Sequence, residues 1–182
     1  MDSLLSIVLW TPFIGFLILL ALPSSNARLI KLWANGVFLV GILETLPLLA
    51  RFDAGKDFQF VEKVNWIPAV GASYHLGVDG ISLLMVVMTN VIGFLAVLAS
   101  WSAIQTRLKE YYAYFLIQQV GMLGVFLSLD FLLFFVFWEV TLVPMYFIIA
   151  IWGGPRRAYA AIKFVIYTAA GSILMLLGIL TL

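Results

Sequence analysis

The chain has 182 residues, of which 64% are hydrophobic and 10% charged, with a net charge of +1. Soluble domains are about 45–50% apolar and ~25% charged, so this composition is that of a membrane protein, and the near-neutral balance gives no argument for nucleic acid as a partner. With no cysteine and one histidine, His75, the chain excludes disulfides, Fe–S clusters, thiolate metal sites and a bis-histidine haem of its own.

In chain order, the first apolar run covers roughly residues 4–22. Its leading segment carries Asp2 in place of basic residues, and Pro23-Ser-Ser-Asn offers no small-x-small cleavage signal. The run therefore reads as a retained transmembrane helix. Further runs follow at roughly 28–50, 80–101, 111–129, 131–151 and 159–182, each near the ~20 residues a helix needs to cross a bilayer. Continuous runs of this length exclude a β-barrel. Between the second and third lies a polar stretch from Arg51 to Asp79, in which Phe58–Trp66 alternates loosely and Gly71-Ala-Ser punctuates. That pattern predicts a short extramembrane loop or β-hairpin.

The lysines and arginines set an orientation. Arg28, Lys31, Arg107, Lys109, Arg156 and Arg157 all fall on one side, whereas Arg51, Lys56 and Lys63 on the other share their loop with Asp53, Asp57, Glu62 and Asp79. This bias predicts an N-terminus outside and three basic turns in the cytoplasm. Trp10, Trp101 and Trp152 sit near span ends, as interfacial anchors do.

One acidic residue stands in the middle of an apolar run. Glu139 lies about 12 Å from the Asp130 end of its helix at ~1.5 Å rise per residue, where a carboxylate costs roughly 2.5–3.5 kcal/mol. Such a group is neutral, paired, or in contact with water. It serves either as an inert structural carboxyl or as a proton-handling one, and Pro144 favours the second. That proline removes the amide that would bond the carbonyl of Val140, leaving an acceptor for water beside the acid. Tyr146, seven residues on, shares the Glu139 face.

Lys163 lies about 9 Å inside from Arg157, with Tyr167 and Gly171 on its face. It either snorkels to the interface or points into the bundle as a titratable cation. Its depth differs from that of Glu139 by about 10 Å, which argues against a direct ion pair. Glu44 lies about 10 Å from Arg51 and reads as partly solvated. Interhelical hydrogen bonds of about 0.6–2 kcal/mol each account for Thr89, Asn90, Gln118 and Gln119 without chemistry. Holding water near Glu139 is the alternative. Arg156 and Arg157 read first as topology signals and second as a docking turn, and His75 as a brace for the outer loop.

Three strings carry a resemblance: Gly77-Val-Asp79-Gly-Ile-Ser-Leu-Leu-Met-Val-Val-Met-Thr89, the segment Phe137-Trp-Glu139-Val-Thr-Leu-Val-Pro144-Met-Tyr146 on to Gly154, and Lys163-Phe-Val-Ile-Tyr167-Thr-Ala-Ala-Gly171-Ser172. They resemble the antiporter-like membrane subunits of respiratory complex I, the NADH–quinone oxidoreductase. The resemblance implies that Glu139 is a proton-pathway residue and that Lys163 lends a supporting charge. It also implies 14-helix proteins built from two inverted five-helix repeats, of which this chain would be the N-terminal portion.

The expectation is thus an all-α polytopic bundle of six spans. Residues 1–110 would form a three-helix region with an outer loop at 51–79, and residues 111–182 the start of the first antiporter-like repeat. The implied activity is proton translocation coupled to NADH oxidation and quinone reduction, in a bacterial cytoplasmic (inner) membrane. This chain would hold no cofactor, while FMN, Fe–S clusters and quinone would reside with other membrane and peripheral subunits of the complex. Pro144, Tyr146, Tyr167, Gln118 and Gln119 would line the path or support it. The rivals are a subunit of a multisubunit cation/proton antiporter or membrane-bound hydrogenase, and a non-transporting membrane scaffold.

Overall fold

A computed structural model describes residues 3–181; Met1, Asp2 and Leu182, the last residue of the sixth predicted span, lie outside the described residues. Six long helices form: α1 (Leu4–Ala21), α2 (Ala27–Arg51), α3 (Gly80–Ala103), α4 (Leu108–Leu127), α5 (Phe131–Trp152) and α6 (Arg157–Leu180). Their starts follow side-chain caps where the sequence offers one. Asn26 accepts from the Leu29 amide, Asp79 and Ser82 form a reciprocal capping box, and Asp130 accepts from the Leu132 and Leu133 amides.

The expected hairpin is present. Strand β1 (Gln59–Ile67) pairs antiparallel with β2 (Ala72–Val78), joined by a 3-10 turn at Pro68–Val70. Gly71 closes the turn at φ 69°, a conformation that glycine adopts without steric cost. A bulge between Gln59 and Glu62 contains Phe60 at φ 55°, unusual for an aromatic residue.

Helices form at all six predicted spans, but the composition of one of them differs from the rest. Among the described residues, five helices are long and apolar enough to cross a membrane, and α4 is not one of them. Its composition explains this: Glu110, three tyrosines, Gln118 and Gln119 dilute the apolar residues of a 20-residue helix. Position explains why that dilution is tolerated. The helix packs against α1, α2, α3 and α5, and Tyr112, Leu116, Val120, Leu123 and Leu127 are buried along its length. A helix enclosed by other helices presents little surface to lipid, so it needs less apolar character.

Two buried clusters stack around α4. One, with Leu5, Leu48, Leu76, Leu123 and Phe137, lies toward the hairpin; the other, with Leu19, Ile30, Phe38, Val97 and Tyr112, lies toward the basic turns. Lipid is as apolar as leucine, so close packing and not water exclusion holds such helices together. The α4–α5 contact shows how close. A Cβ at Gly124 would fall 2.1 Å from the Phe137 ring, and one at Gly121 would fall 2.5 Å from Thr141.

The six predicted topology cations share one end of the bundle, where three of them also bond helix-end carbonyls. Lys31 Nζ donates to the Trp101 carbonyl at 2.6 Å, Lys109 Nζ to Leu20 and Leu22, and an Arg157 guanidinium nitrogen to Ile151. Each ties off orphan carbonyls at or near the C-terminal end of a helix (α3, α1 and α5), where the helix dipole favours positive charge.

Candidate functional site

Asp130 starts α5 and anchors it. One carboxylate oxygen caps the helix, while the other accepts from the Ser73 amide at 2.9 Å and the Ser73 hydroxyl at 3.0 Å on β2. The Leu129 amide adds a bond to the His75 carbonyl, and Leu76 bridges Ser128. Burial raises the Asp130 pKa, but the four donors together outweigh it and hold the carboxyl below its ordinary value. His75 also lies low, through burial and then the Lys63 charge, against the pull of Asp130.

From this fixed start α5 runs unbroken through Pro144, which is buried. Phe137 and Thr141 meet α4, so Glu139 projects from the other side of the helix. Its residue is half-buried, and Oε1 is fully buried with no hydrogen-bond partner. The neighbouring residue, Trp138, donates to Ser172 Oγ at 3.2 Å and so joins α5 to α6. A buried carboxyl oxygen without a partner is costly unless the group is neutral or meets water, and the Val140 carbonyl freed by Pro144 is a further acceptor nearby.

The other predicted site residues fall in different places. Gln118, on α4, has a buried side-chain oxygen without a partner, like Glu139. Gln119 donates to Asn90 Oδ1 at 2.9 Å, and Asn90 donates to the Val86 carbonyl, which is the interhelical bonding that suffices to explain that pair. Thr89 bonds back to Met85 within α3. Tyr146 is half-buried with its ring against Phe147. Lys163 is exposed on α6, its ammonium 5.7 Å and 5.8 Å from the Tyr159 and Tyr167 rings. The structure does not bring Lys163 to Glu139, and among the described residues no ion pair joins them.

Two acids prove to have more specific partners than the sequence suggests. Glu44 accepts from Thr11 Oγ1 at 2.7 Å, and its second oxygen is buried without a partner, so it is less solvated than its depth implies. Glu62 reaches from the bulged strand to the start of α1. It accepts from the Leu5 amide at 2.9 Å, the Ser6 amide and the Ser6 hydroxyl, and Tyr74 joins Ser6 to Trp10. It acts as an N-terminal cap supplied from 56 residues away. No local pattern marks Glu62, whereas an aspartate directly before an apolar run, as at Asp130, is a legible cap signal.

The chain is similar to known proteins along its length. Residues 128–182 match a family model described as NADH:quinone oxidoreductase/Mrp antiporter, TM. NADH-quinone oxidoreductase subunit M of Rhodobacter capsulatus is 43% identical over 191 residues, covering 100% of this chain and 36% of the relative. NADH-ubiquinone oxidoreductase chain 4 of Arabidopsis thaliana is 42% identical, covering 97% and 36%. A subunit in the structure of respiratory complex I from Thermus thermophilus with bound NADH superimposes with a TM-score of 0.80 at 25% identity, over 94% of this chain and 34% of that one. The chain spans about a third of the length of the relatives it matches.

Proposed function

From a multi-pass membrane chain related over nearly its whole length to subunit M and chain 4 of the NADH–quinone oxidoreductases, we propose that it forms part of a proton-translocating membrane subunit in which Glu139 is the proton carrier. The observation that carries this reading is the buried, unpartnered carboxyl oxygen of Glu139 in an apolar helix interrupted by Pro144. Ionisable groups inside a membrane are expensive and mark ion or proton routes. Gln118, with its own unpartnered oxygen, is a supporting group that holds water along the route, and Lys163 supplies a distant positive charge at the basic end.

The mechanism is electrostatic. A positive charge approaching Glu139 stabilises the carboxylate and drives its proton off; withdrawal of that charge lets the carboxyl reload. The driving charge belongs to other parts of the assembly, where NADH oxidation and quinone reduction take place on FMN, Fe–S and quinone centres. The basic turns face the cytoplasm of a bacterial inner membrane, which puts the hairpin and N-terminus outside. All six helices then cross, α4 within the shelter of its neighbours. A second reading, a subunit of a multisubunit cation/proton antiporter, is favoured by the matched family model, which names both. It uses the same carboxyl without redox coupling.

The test is covalent. An apolar carbodiimide, which attacks protonated carboxyls from within the membrane, modifies Glu139 and stops proton translocation, while a water-soluble carbodiimide does neither. Proton translocation that persists with Glu139 fully modified, as read by peptide mass spectrometry, contradicts the assignment.

A further inference from the structure

Helices α1 and α5 both pack on α4, and the gap between them is a long apolar groove. It has two chambers of about 720 and 590 Å³ that share Ile117 and Val140. The upper one runs along Val136 and Phe137 and is roofed by the hairpin residues Trp66 and Tyr74. The lower one passes Tyr114, Val143 and Pro144 and reaches Lys109 and Glu110 at the basic end.

The two ends differ in a way that selects an occupant. At the upper end the hairpin residues Val64, Asn65, Trp66 and Tyr74 form part of the lining. The lower end lies at the basic side, where an acidic headgroup is favoured. At that side the three turns carry Arg28, Lys31, Arg107, Lys109, Arg156 and Arg157 against one acid, Glu110, which pairs with Arg107. Lys109 spends two of its three N–H donors on the carbonyls of Leu20 and Leu22, leaving one for an incoming oxygen. From Lys109 to Val120, where the lower chamber has given way to the upper, is about 16 Å by helical rise, close to half of a ~30 Å hydrocarbon core.

We infer that this groove is a binding site for an anionic phospholipid of the leaflet on the basic side, with its phosphate at Lys109 and an acyl chain lying past Tyr114 and Ile117 against α5. The inference does not depend on Glu139 being a proton carrier. It does give the proline segment of α5 a lipid neighbour on its α1 side, since Val143 and Pro144 form part of the wall.

The test uses the chain purified from its native membrane with its bound partners and returned to phosphatidylcholine vesicles. These carry a trace of either phosphatidylglycerol or phosphatidylcholine with a diazirine on the acyl chain. After illumination, labelling of the α4 and α5 peptides is read by mass spectrometry. The phosphatidylglycerol probe is expected to label the stretch around Ile117 and Val140 about fivefold more than the phosphatidylcholine probe, the factor expected for one basic residue near an anionic headgroup. Lys109→Gln abolishes that preference. Val140→Trp, which fills the groove and leaves the α1 cap intact, lowers labelling by both probes and keeps the inference testable should Lys109→Gln fail to fold. Equal labelling by the two probes would mean ordinary boundary lipid, and no labelling by either would mean that a protein covers the groove. Each of these overturns the proposal.

Discussion

Replacing Glu139 by glutamine is expected to leave the assembled complex intact and to reduce proton translocation on the order of 10²-fold, the scale of losing a positioned acid–base group. The amide has nearly the same shape and keeps one oxygen, with an NH2 in place of the other, so the packing of Phe137 and Thr141 on α4 and the Trp138–Ser172 bond to α6 stay in place. What disappears is the ability to release and accept a proton at this depth. Glutamine is in fact easier to bury than a carboxylate, so stability should hold or rise. Acidification of vesicles measured alongside the yield of purified complex separates the two effects. A scaffold role predicts the opposite pattern, with lost assembly and unchanged transport per assembled complex.

Replacing Asp130 by alanine should produce the largest structural effect. One carboxylate caps α5 through two amides and fastens β2 through Ser73. Loss of a cap costs about 0.5–2 kcal/mol, and loss of hydrogen bonds to a charged group about 1.5–3 kcal/mol, so a total of about 2–5 kcal/mol is expected. Thermal unfolding in detergent reads the loss, and faster proteolysis within residues 59–78 locates it. The same contact sets a pH dependence. The folded-state pKa of Asp130 lies below its unfolded value, so its contribution is fully present above about pH 4 and disappears as the pH falls through the folded pKa. His75 has the same sign at higher pH. Its folded pKa is also depressed, so the hairpin gains from a neutral imidazole above about pH 6.5 and loses that gain on acidification through the folded value.

Much of the architecture could be read from apolar run length alone. All six helices start and end within a few residues of the predicted runs, because a lipid-facing helix must advertise itself by composition. Helix α4 is the least apolar of the six as a candidate span, and what allows that was not legible. Its neighbours shield Gln118, Gln119 and the tyrosines from lipid, and shielding is a tertiary property. The hairpin was legible from Gly71 and the alternation before it, but its attachment was not. Glu62 looks like any loop acid until the bulge at Phe60 is seen bringing its strand to the α1 N-terminus.

Within the candidate site, Glu139 and Pro144 were conspicuous as violations of an apolar pattern. Their environment was less so. Gln118 and Gln119 are adjacent and identical in chemistry, yet one closes an interhelical bond with Asn90 while the other is left with an unpartnered oxygen. Helical geometry separates the two by about 100°, and only knowledge of the neighbouring helices says which direction is occupied. Lys163 illustrates the same limit. Its sequence position left two orientations open, and the rings of Tyr159 and Tyr167 hold it on the exposed side of α6.

The most direct measurement is an infrared difference spectrum between resting and energised states of the membrane-embedded full-length protein, compared with its Glu139→Gln variant. A protonated-carboxyl C=O band that changes on energisation, shifts in heavy water and vanishes in the variant is the predicted result. A carboxyl at position 139 that keeps one protonation state throughout turnover, with no response to heavy water, contradicts it.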